Sequence, residues 1–318
     1  MKKNQAKGYI LESIIWKLLK RYGYIDVTTS KLRGRGASHQ IDAHGILAIP
    51  TPFIYPVRLI CEAKYYKDAI KLHNIRNFVG IMKDISENYI VGKQGERNTP
   101  YRYTDSGCFF SASPYEISAQ EYAWAHNIFL ISFNNIPLLL NITNVIDKFV
   151  DQYPNDDLDI SAKDLRKKFW HLYKYEEIFK QSSMIVGILD KIYPIVLVGK
   201  GDWINIIDRE LPLGREIIEG VKSNRFDTEY ETRFDLKIMG QQVYFVLPTI
   251  VAYKIITRIK NAEKGNDIFK IDIPFITRRD NNEIRRFFKI IITLPGEDRK
   301  SYFKNLQATV NVVKPKRN

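Results

Sequence analysis

Two short charged motifs, Gln40-Ile41-Asp42 and Glu62-Ala63-Lys64, lie twenty residues apart, Asp42 to Glu62. Leu59-Ile60-Cys61 runs straight into Glu62, so charge arrives where a buried strand should continue. Buried carboxylates and lysines are costly unless they pair or bind a metal ion. Hydrolysis of a phosphodiester needs charge neutralised on the phosphate and a water made nucleophilic. A divalent cation held by hard carboxylate oxygens supplies both. Asp42 is placed to be the anchoring ligand, with Glu62 and the main-chain carbonyl of Ala63 completing the protein side. Side chains two apart on a strand share a face, so Lys64 enters the same pocket as Glu62 while Ala63 faces away. The Lys64 ammonium can then orient the attacking water and stabilise the charge that develops on the phosphate.

Other residues admit two readings. Gln40 shares the face of Asp42 if this stretch is a strand, which suits either an active-site contact or a loop hydrogen bond. Glu12 is the one acid on the first helix, either an exposed helix acid or a carboxylate of the site. His39 and His44 flank Asp42 but have no third His or Cys at metal-ligand spacing, which favours ordinary polar roles. Arg33 and Arg35, separated by one glycine, could clamp backbone phosphates or form a solvated loop. Arg278-Arg279 and Arg285-Arg286 are nucleic-acid candidates or solubilising surface. Tyr115 and Gln120 fit packing better than chemistry. Gly199-Lys200-Gly201 lacks the full phosphate-loop pattern and reads as a hairpin turn.

These residues need elements to position them. Ile10, Leu11, Ile14, Ile15, Leu18 and Leu19 give residues 7–22 one wide apolar helical face, stopped by Gly23. Strands are expected at residues 24–29, 43–49 and 57–64, with a flexible basic loop at 33–39. The residues after 64 predict a helix over 70–87 and a strand beginning at Tyr89-Ile90-Val91, with a polar loop from Lys93 to Arg97. A strand over 108–112, a small-residue helix over 115–126 and a strand over 128–131 follow. This order predicts an α/β core with a partly parallel sheet. Asp151 to Asp157 reads as a linker, which gives domains of 1–150 and 151–318. Ser161 with Asp164 resembles a capping pair for a helix running to about Gln181. The second half reads as mixed α+β, with strands at 195–198, 243–247, 269–273 and 288–292. Lys314 to Asn318 forms a short basic tail.

The 318-residue chain carries 49 Lys+Arg against 36 Asp+Glu, a net charge of +13 shared almost equally by its halves. A polyanionic partner fits that balance. The two cysteines, Cys61 and Cys108, cannot build a disulfide framework or a Cys-based zinc site and read as small buried hydrophobes. No apolar run approaches a membrane span, and the first residues lack a signal-peptide core. A soluble cytoplasmic protein without a membrane partner is the expectation.

Asp42 … Glu62-Ala63-Lys64 resembles the Asp … (Asp/Glu)-x-Lys signature of restriction-endonuclease-like nucleases, and its layout looks most like the Mrr-type branch. Gly8-Tyr9-Ile10-Leu11-Glu12 on a preceding helix, Ser38-His39 leading into Gln40-Ile41-Asp42, and Phe110-Ser111-Ala112-Ser113-Pro114-Tyr115 before a small-residue helix support the likeness. It covers roughly residues 5–135. One departure is the long proline-bearing link between Asp42 and Glu62.

The resemblance implies a mixed-sheet core flanked by helices, followed by an α+β recognition or regulatory domain. It also implies a Mg²⁺-dependent endonuclease, with Mn²⁺ able to substitute. In that reading Asp42, Glu62 and the Ala63 carbonyl hold metal, Lys64 acts on the water, and Glu12 and Gln40 support them. DNA is the expected substrate, with RNA as the alternative, in restriction or anti-phage defence. A homodimer on DNA or a defence-system partner would go with double-strand cleavage. The rival reading is a catalytically silent nucleic-acid-binding or sensing module on the same fold.

Overall fold

A computed structural model describes residues 1–48, 53–88, 102–179, 182–201, 203, 216–225, 230–238, 241–261, 267–279 and 282–293. The chain divides into two compact units, one of residues 1–134 with 140–178 and the other of residues 135–139 with 179–318.

The first unit is built on a five-stranded mixed sheet in the order β1-β4-β5-β6-β7. Its strands are β1 (Tyr24–Thr28), β4 (Ala43–Leu47), β5 (Val57–Lys64), β6 (Thr104–Ser111) and β7 (Ile128–Ser132). β1, β4 and β5 pair antiparallel, whereas β5, β6 and β7 run parallel. α2 (Leu72–Ser86) and α3 (Ile117–Ala125) close one apolar cluster, in which Ile75, Phe78, Met82 and Ala119 meet Ile60 and Phe109 of the sheet. α1 (Lys3–Arg21) packs against β1, β4 and β5 outside that cluster. Its Ile10, Leu11, Ile14 and Ile15 are wholly buried, each contributing about 1.5–3 kcal/mol of apolar transfer. Gly23 at φ +80° ends the helix as its position suggested.

Several expectations change on inspection. The basic stretch 33–39 is not a flexible loop. It is the turn of a small hairpin, β2 (Lys31–Arg33) with β3 (Ser38–Gln40), clamped onto Asp84 of α2. Asp84 accepts the Gly36 N–H at 2.7 Å and the Ala37 N–H at 3.1 Å and bonds His39 Nε2 at 2.7 Å, while the Arg35 N–H donates to its carbonyl. A Cβ on Gly34 would lie 2.0 Å from the Asp84 carboxylate, so only glycine admits this approach. The strand at 43–49 ends at Leu47, and Ile49 lies outside the described residues. So do the expected strand at 89–91, the loop at 93–97 and the tail at 314–318.

Downstream, α4 (Leu140–Asp151) is a helix that the sequence reading missed. α5 (Ala162–Leu172) begins at the expected cap, where Ser161 Oγ accepts the Asp164 N–H. It ends well before Gln181, because Tyr173 leaves helical geometry at φ −121° and ψ 116°, and α6 (Tyr175–Ile178) is a single turn. The first unit therefore runs past the 150/151 break read from the sequence. α5 is tied to α1, with Trp170 Nε1 donating to Ser13 Oγ at 3.1 Å.

The second unit is a closed barrel in the order β10-β11-β12-β9-β8-β13-β14. Its strands are β8 (Ser183–Leu189), β9 (Tyr193–Gly199), β10 (Glu216–Arg225), β11 (Thr232–Ile238), β12 (Gln241–Leu247), β13 (Asp267–Arg279) and β14 (Asn282–Thr293), accompanied by α7 (Thr249–Asn261). A parallel β10–β14 pair closes the ring, so that among the described strands of the barrel no edge is left free. Phe234 and Phe245 stack at 4.9 Å, and buried Trp203 donates to the Ser183 carbonyl at 3.0 Å. Gly199 ends β9 where a Cβ would meet the Trp203 ring at 2.4 Å, a packing reason for glycine rather than a phosphate cradle.

Candidate active site

The register Ala43↔Cys61 brings the start of β4 level with the end of β5, so the next residue outward, Asp42, comes beside Glu62. Asp42 Oδ2 accepts the Ala63 N–H at 2.8 Å, which pins its carboxylate to the peptide between Glu62 and Lys64. The Pro-bearing link between the motifs therefore leaves the hairpin register intact. Glu62 follows Ile60 on the same face of β5. Ile60 is wholly buried, whereas Glu62 and Lys64 stand at the strand's carboxyl end with part of their side chains exposed. Lys64 Nζ bonds Glu62 Oε1, as the i, i+2 spacing predicts.

Glu12 of α1, far from these residues in sequence, feels the charges of Asp42, Lys64 and Glu62. Burial first, and then the Asp42 charge, push its carboxyl up to about 7, with Arg166 and Lys64 pulling the other way. Burial also raises Asp42, partly offset by Lys64, the Ala63 N–H and Arg166. Glu62 is raised by burial and then by Asp42, against the pull of Lys64. For Lys64, burial works to lower the pKa, but Glu62 and Asp42 outweigh it and hold the group as an ammonium. Three acids raised first by burial, with Asp42 raising both Glu12 and Glu62 further, surround one lysine and form a site whose chemistry asks for additional positive charge.

The donor set fits a hydrated divalent cation. Asp42 and Glu62 each commit one oxygen, to Ala63 and Lys64, and keep the other. The N–H and C=O of one strand residue point to the same edge, so the Ala63 carbonyl lies on the Asp42 side. Among the described residues no group of three or more His, Cys, Asp or Glu is arranged to hold a metal ion. An open set of two carboxylates is what Mg²⁺ uses when it retains water and takes phosphate oxygens.

The remaining sequence candidates fall elsewhere. Gln40 is not brought into the set; it lies exposed on β3 opposite Lys31. Arg33 and Arg35 are exposed at the β2–β3 turn, with Arg35 4.0 Å from Glu87. His44 bonds Ser30 Oγ at 2.8 Å, and His39 serves Asp84, so both have polar roles. Tyr115 donates to the Phe109 carbonyl at 2.7 Å and the Ile131 carbonyl at 3.1 Å, and Gln120 donates to the Tyr115 carbonyl, so both are packing residues. Cys61 and Cys108 are buried free thiols, neighbours across β5 and β6. Arg278 and Arg279 lie on β13, opposite Glu283 and Asn282 of β14, and their side chains lie outside the described residues.

One participant escaped the sequence reading. Arg166 of α5 donates from Nη2 to Glu12 Oε2 at 2.6 Å. Nothing in Asp164-Leu165-Arg166-Lys167-Lys168 marks that arginine apart from its basic neighbours. Only the docking of α5 on α1 singles it out.

Residues 4–140 match the family model Mrr_cat, described as a restriction endonuclease. This stretch is similar to the restriction endonucleases of the Mrr type. The match takes in α1, the five-stranded sheet, α2 and α3, and therefore Glu12, Asp42, Glu62 and Lys64. The Mrr-type match stops short of α5 and of the barrel strands. No curated protein matches the chain. A solved structure described as "Crystal Structure of Protein of Unknown Function AF1548" is similar over 51% of this chain and 95% of its own, at 15% identity and a TM-score of 0.32.

Proposed function

We propose that the protein is a divalent-metal-dependent endonuclease that hydrolyses phosphodiester bonds in DNA. The observation that carries this reading is the Asp42 carboxylate fixed against the Ala63 peptide, with Glu62, Lys64 and Glu12 around it. Asp42, Glu62 and the Ala63 carbonyl would hold Mg²⁺ or Mn²⁺. When bound, the ion supplies charge neutralisation of the scissile phosphate and a more acidic water. Asp42 anchors the site because its second oxygen is already fixed by the strand. Lys64, kept protonated by its acidic neighbours, serves as a hydrogen-bond donor to the attacking water and to the phosphate oxygen that gains charge. The net charge of +13 favours a polyanionic substrate.

The role assigned in this reading is restriction or anti-phage defence, in line with the restriction-endonuclease description of residues 4–140, and the barrel unit is assigned the recognition or regulatory part. Among the described residues no helix is long and apolar enough to cross a membrane.

The test incubates the full chain with supercoiled plasmid or with RNA, in Mg²⁺ or Mn²⁺, beside Asp42→Asn and Lys64→Ala. Nicking or linearisation by the wild type alone supports the reading. If wild type and variants leave both polymers equally intact, yet shift them in a gel, the silent binding module takes its place. Plating efficiency of phage on cells expressing wild type or Asp42→Asn then tests the defence role.

A further inference from the structure

Glu12, whose carboxyl feels the charges of Asp42, Lys64 and Glu62, is held from outside the matched segment. Arg166 lies on α5, beyond residue 140 where the family match ends. Its guanidinium grips one turn of α1 at three points. Nη2 donates to Glu12 Oε2 at 2.6 Å, Nε donates to the Tyr9 carbonyl at 3.1 Å, and the guanidinium carbon lies 5.3 Å from the centre of the Tyr9 ring. These contacts fix the plane of the guanidinium and, through it, one oxygen of the Glu12 carboxylate.

The helix that carries Arg166 is itself firmly seated. Ser161 caps its first turn, Leu165 and Phe169 are wholly buried, and Phe169 meets Phe149 edge-on at 5.3 Å. One turn beyond Arg166, Trp170 donates to Ser13 Oγ, and the Lys17 ammonium sits 3.6 Å from the centre of its ring. Arg166 is thus a prepositioned group rather than a surface arginine that happens to meet an acid. A free glutamate side chain loses rotamer entropy when it is held in one geometry. A partner already in place removes that cost when a ligand arrives.

We infer that Arg166 is a positioning residue of the nuclease site, holding the Glu12 carboxylate toward Asp42 and Glu62. This rests on the metal-nuclease reading of that site. It acts through Glu12 and extends the functional unit to the end of α5. The pair of hydrogen bonds matters because a lysine can supply the charge but not the planar fork that bonds Glu12 and the Tyr9 carbonyl together.

The test uses the full chain as wild type, Arg166→Lys, Arg166→Gln, Glu12→Gln, the Arg166→Lys/Glu12→Gln double variant and Trp170→Phe. Mn²⁺ affinity is measured by calorimetry without DNA, alongside kcat and KM for plasmid cleavage and the thermal midpoint. Arg166→Lys, which keeps the charge, is expected to weaken Mn²⁺ binding about tenfold and to lower kcat by about 10–100-fold, with KM unchanged. With Glu12→Gln already present, the same change is expected to alter either quantity by less than about twofold. Trp170→Phe should lower the thermal midpoint and leave Mn²⁺ affinity unchanged. If Arg166→Lys does not fold, Arg166→Gln is read in its place. Wild-type behaviour of Arg166→Lys would overturn the inference, as would an equal loss with and without Glu12. So would a change in KM alone, or an equal loss of Mn²⁺ affinity in Trp170→Phe. A wild-type chain that neither binds Mn²⁺ nor cuts DNA would overturn the metal-site reading itself, a result distinct from all of these.

Discussion

Asp42 Oδ2 accepts a hydrogen bond from the main-chain N–H of Ala63 at 2.8 Å, so the carboxylate at the mouth of β4 is fixed by the very tripeptide that carries Glu62 and Lys64. Position and charge of Asp42 can be separated on that basis. Asp42→Asn keeps an oxygen for the Ala63 N–H and loses the charge. It is expected to reduce cleavage by at least about 10²-fold while folding as well as the wild type. Asp42→Ala leaves the Ala63 N–H without its acceptor and should also cost about 1–3 kcal/mol of stability. Plasmid cleavage together with urea titration of both variants checks the pair.

The acids should make stability fall as pH rises. In the folded chain Glu12 titrates near 7 against an ordinary value of 4.5, so the folded state binds its proton more tightly than the unfolded state. The contribution is present below about pH 4.5 and is lost as pH climbs toward 7, by roughly 3 kcal/mol at most. Asp42 and Glu62, both raised, act in the same direction. Glu12→Gln should flatten this slope in urea melts run in chelator between pH 4.5 and 7.5. An unchanged slope would show that Glu12 does not feel the set.

A cation that relieves this repulsion should bind the folded state only. Mn²⁺ at a hundred times its dissociation constant should then stabilise the wild type by about 2.7 kcal/mol. Asp42→Asn should show little of that gain. Thermal melts with and without Mn²⁺, with Ca²⁺ and Na⁺ as comparisons, measure it.

Gly34 lets Asp84 close on the β2–β3 turn. Gly34→Ala would place a Cβ 2.0 Å from that carboxylate, so the clamp must open. A loss of about 1–3 kcal/mol is expected, with faster amide exchange at Gly36 and Ala37, whose N–H groups bond Asp84. Because Asp42 keeps its own bond to Ala63, Mn²⁺ affinity should hold.

Tyr115 ties the ends of β6 and β7 through two carbonyls. Tyr115→Phe leaves those acceptors without the hydroxyl and should cost about 1–3 kcal/mol in urea titration. Cleavage at a temperature where the variant stays folded should be unaffected, since Tyr115 is buried under the sheet rather than in the site.

The sequence by itself determined the parts of this protein that local rules control. The apolar stripe of α1, the strand that runs into Glu62, and the i, i+2 step to Lys64 all follow from periodicities within one element. The order of helices and strands then sufficed for the mixed sheet of the first unit. The second unit's strands at β9, β12, β13 and β14 were visible as β-branched and aromatic runs, but ring closure depends on β10 pairing with β14 across more than sixty residues of chain. α4 and α7 were missed although each carries a buried helical stripe, Ile142, Ile146, Phe149 and Val150 in the first and Val251, Ala252, Ile255 and Ile256 in the second. Tertiary structure alone decided where single polar side chains go. It turned a supposed flexible loop into a hairpin held by Asp84, left Gln40 in solvent and seated Arg166 on Glu12. A strand or helix period is set by neighbours along the chain. A hydrogen bond between α1 and α5 is set by how two finished helices dock, and no local spacing encodes it.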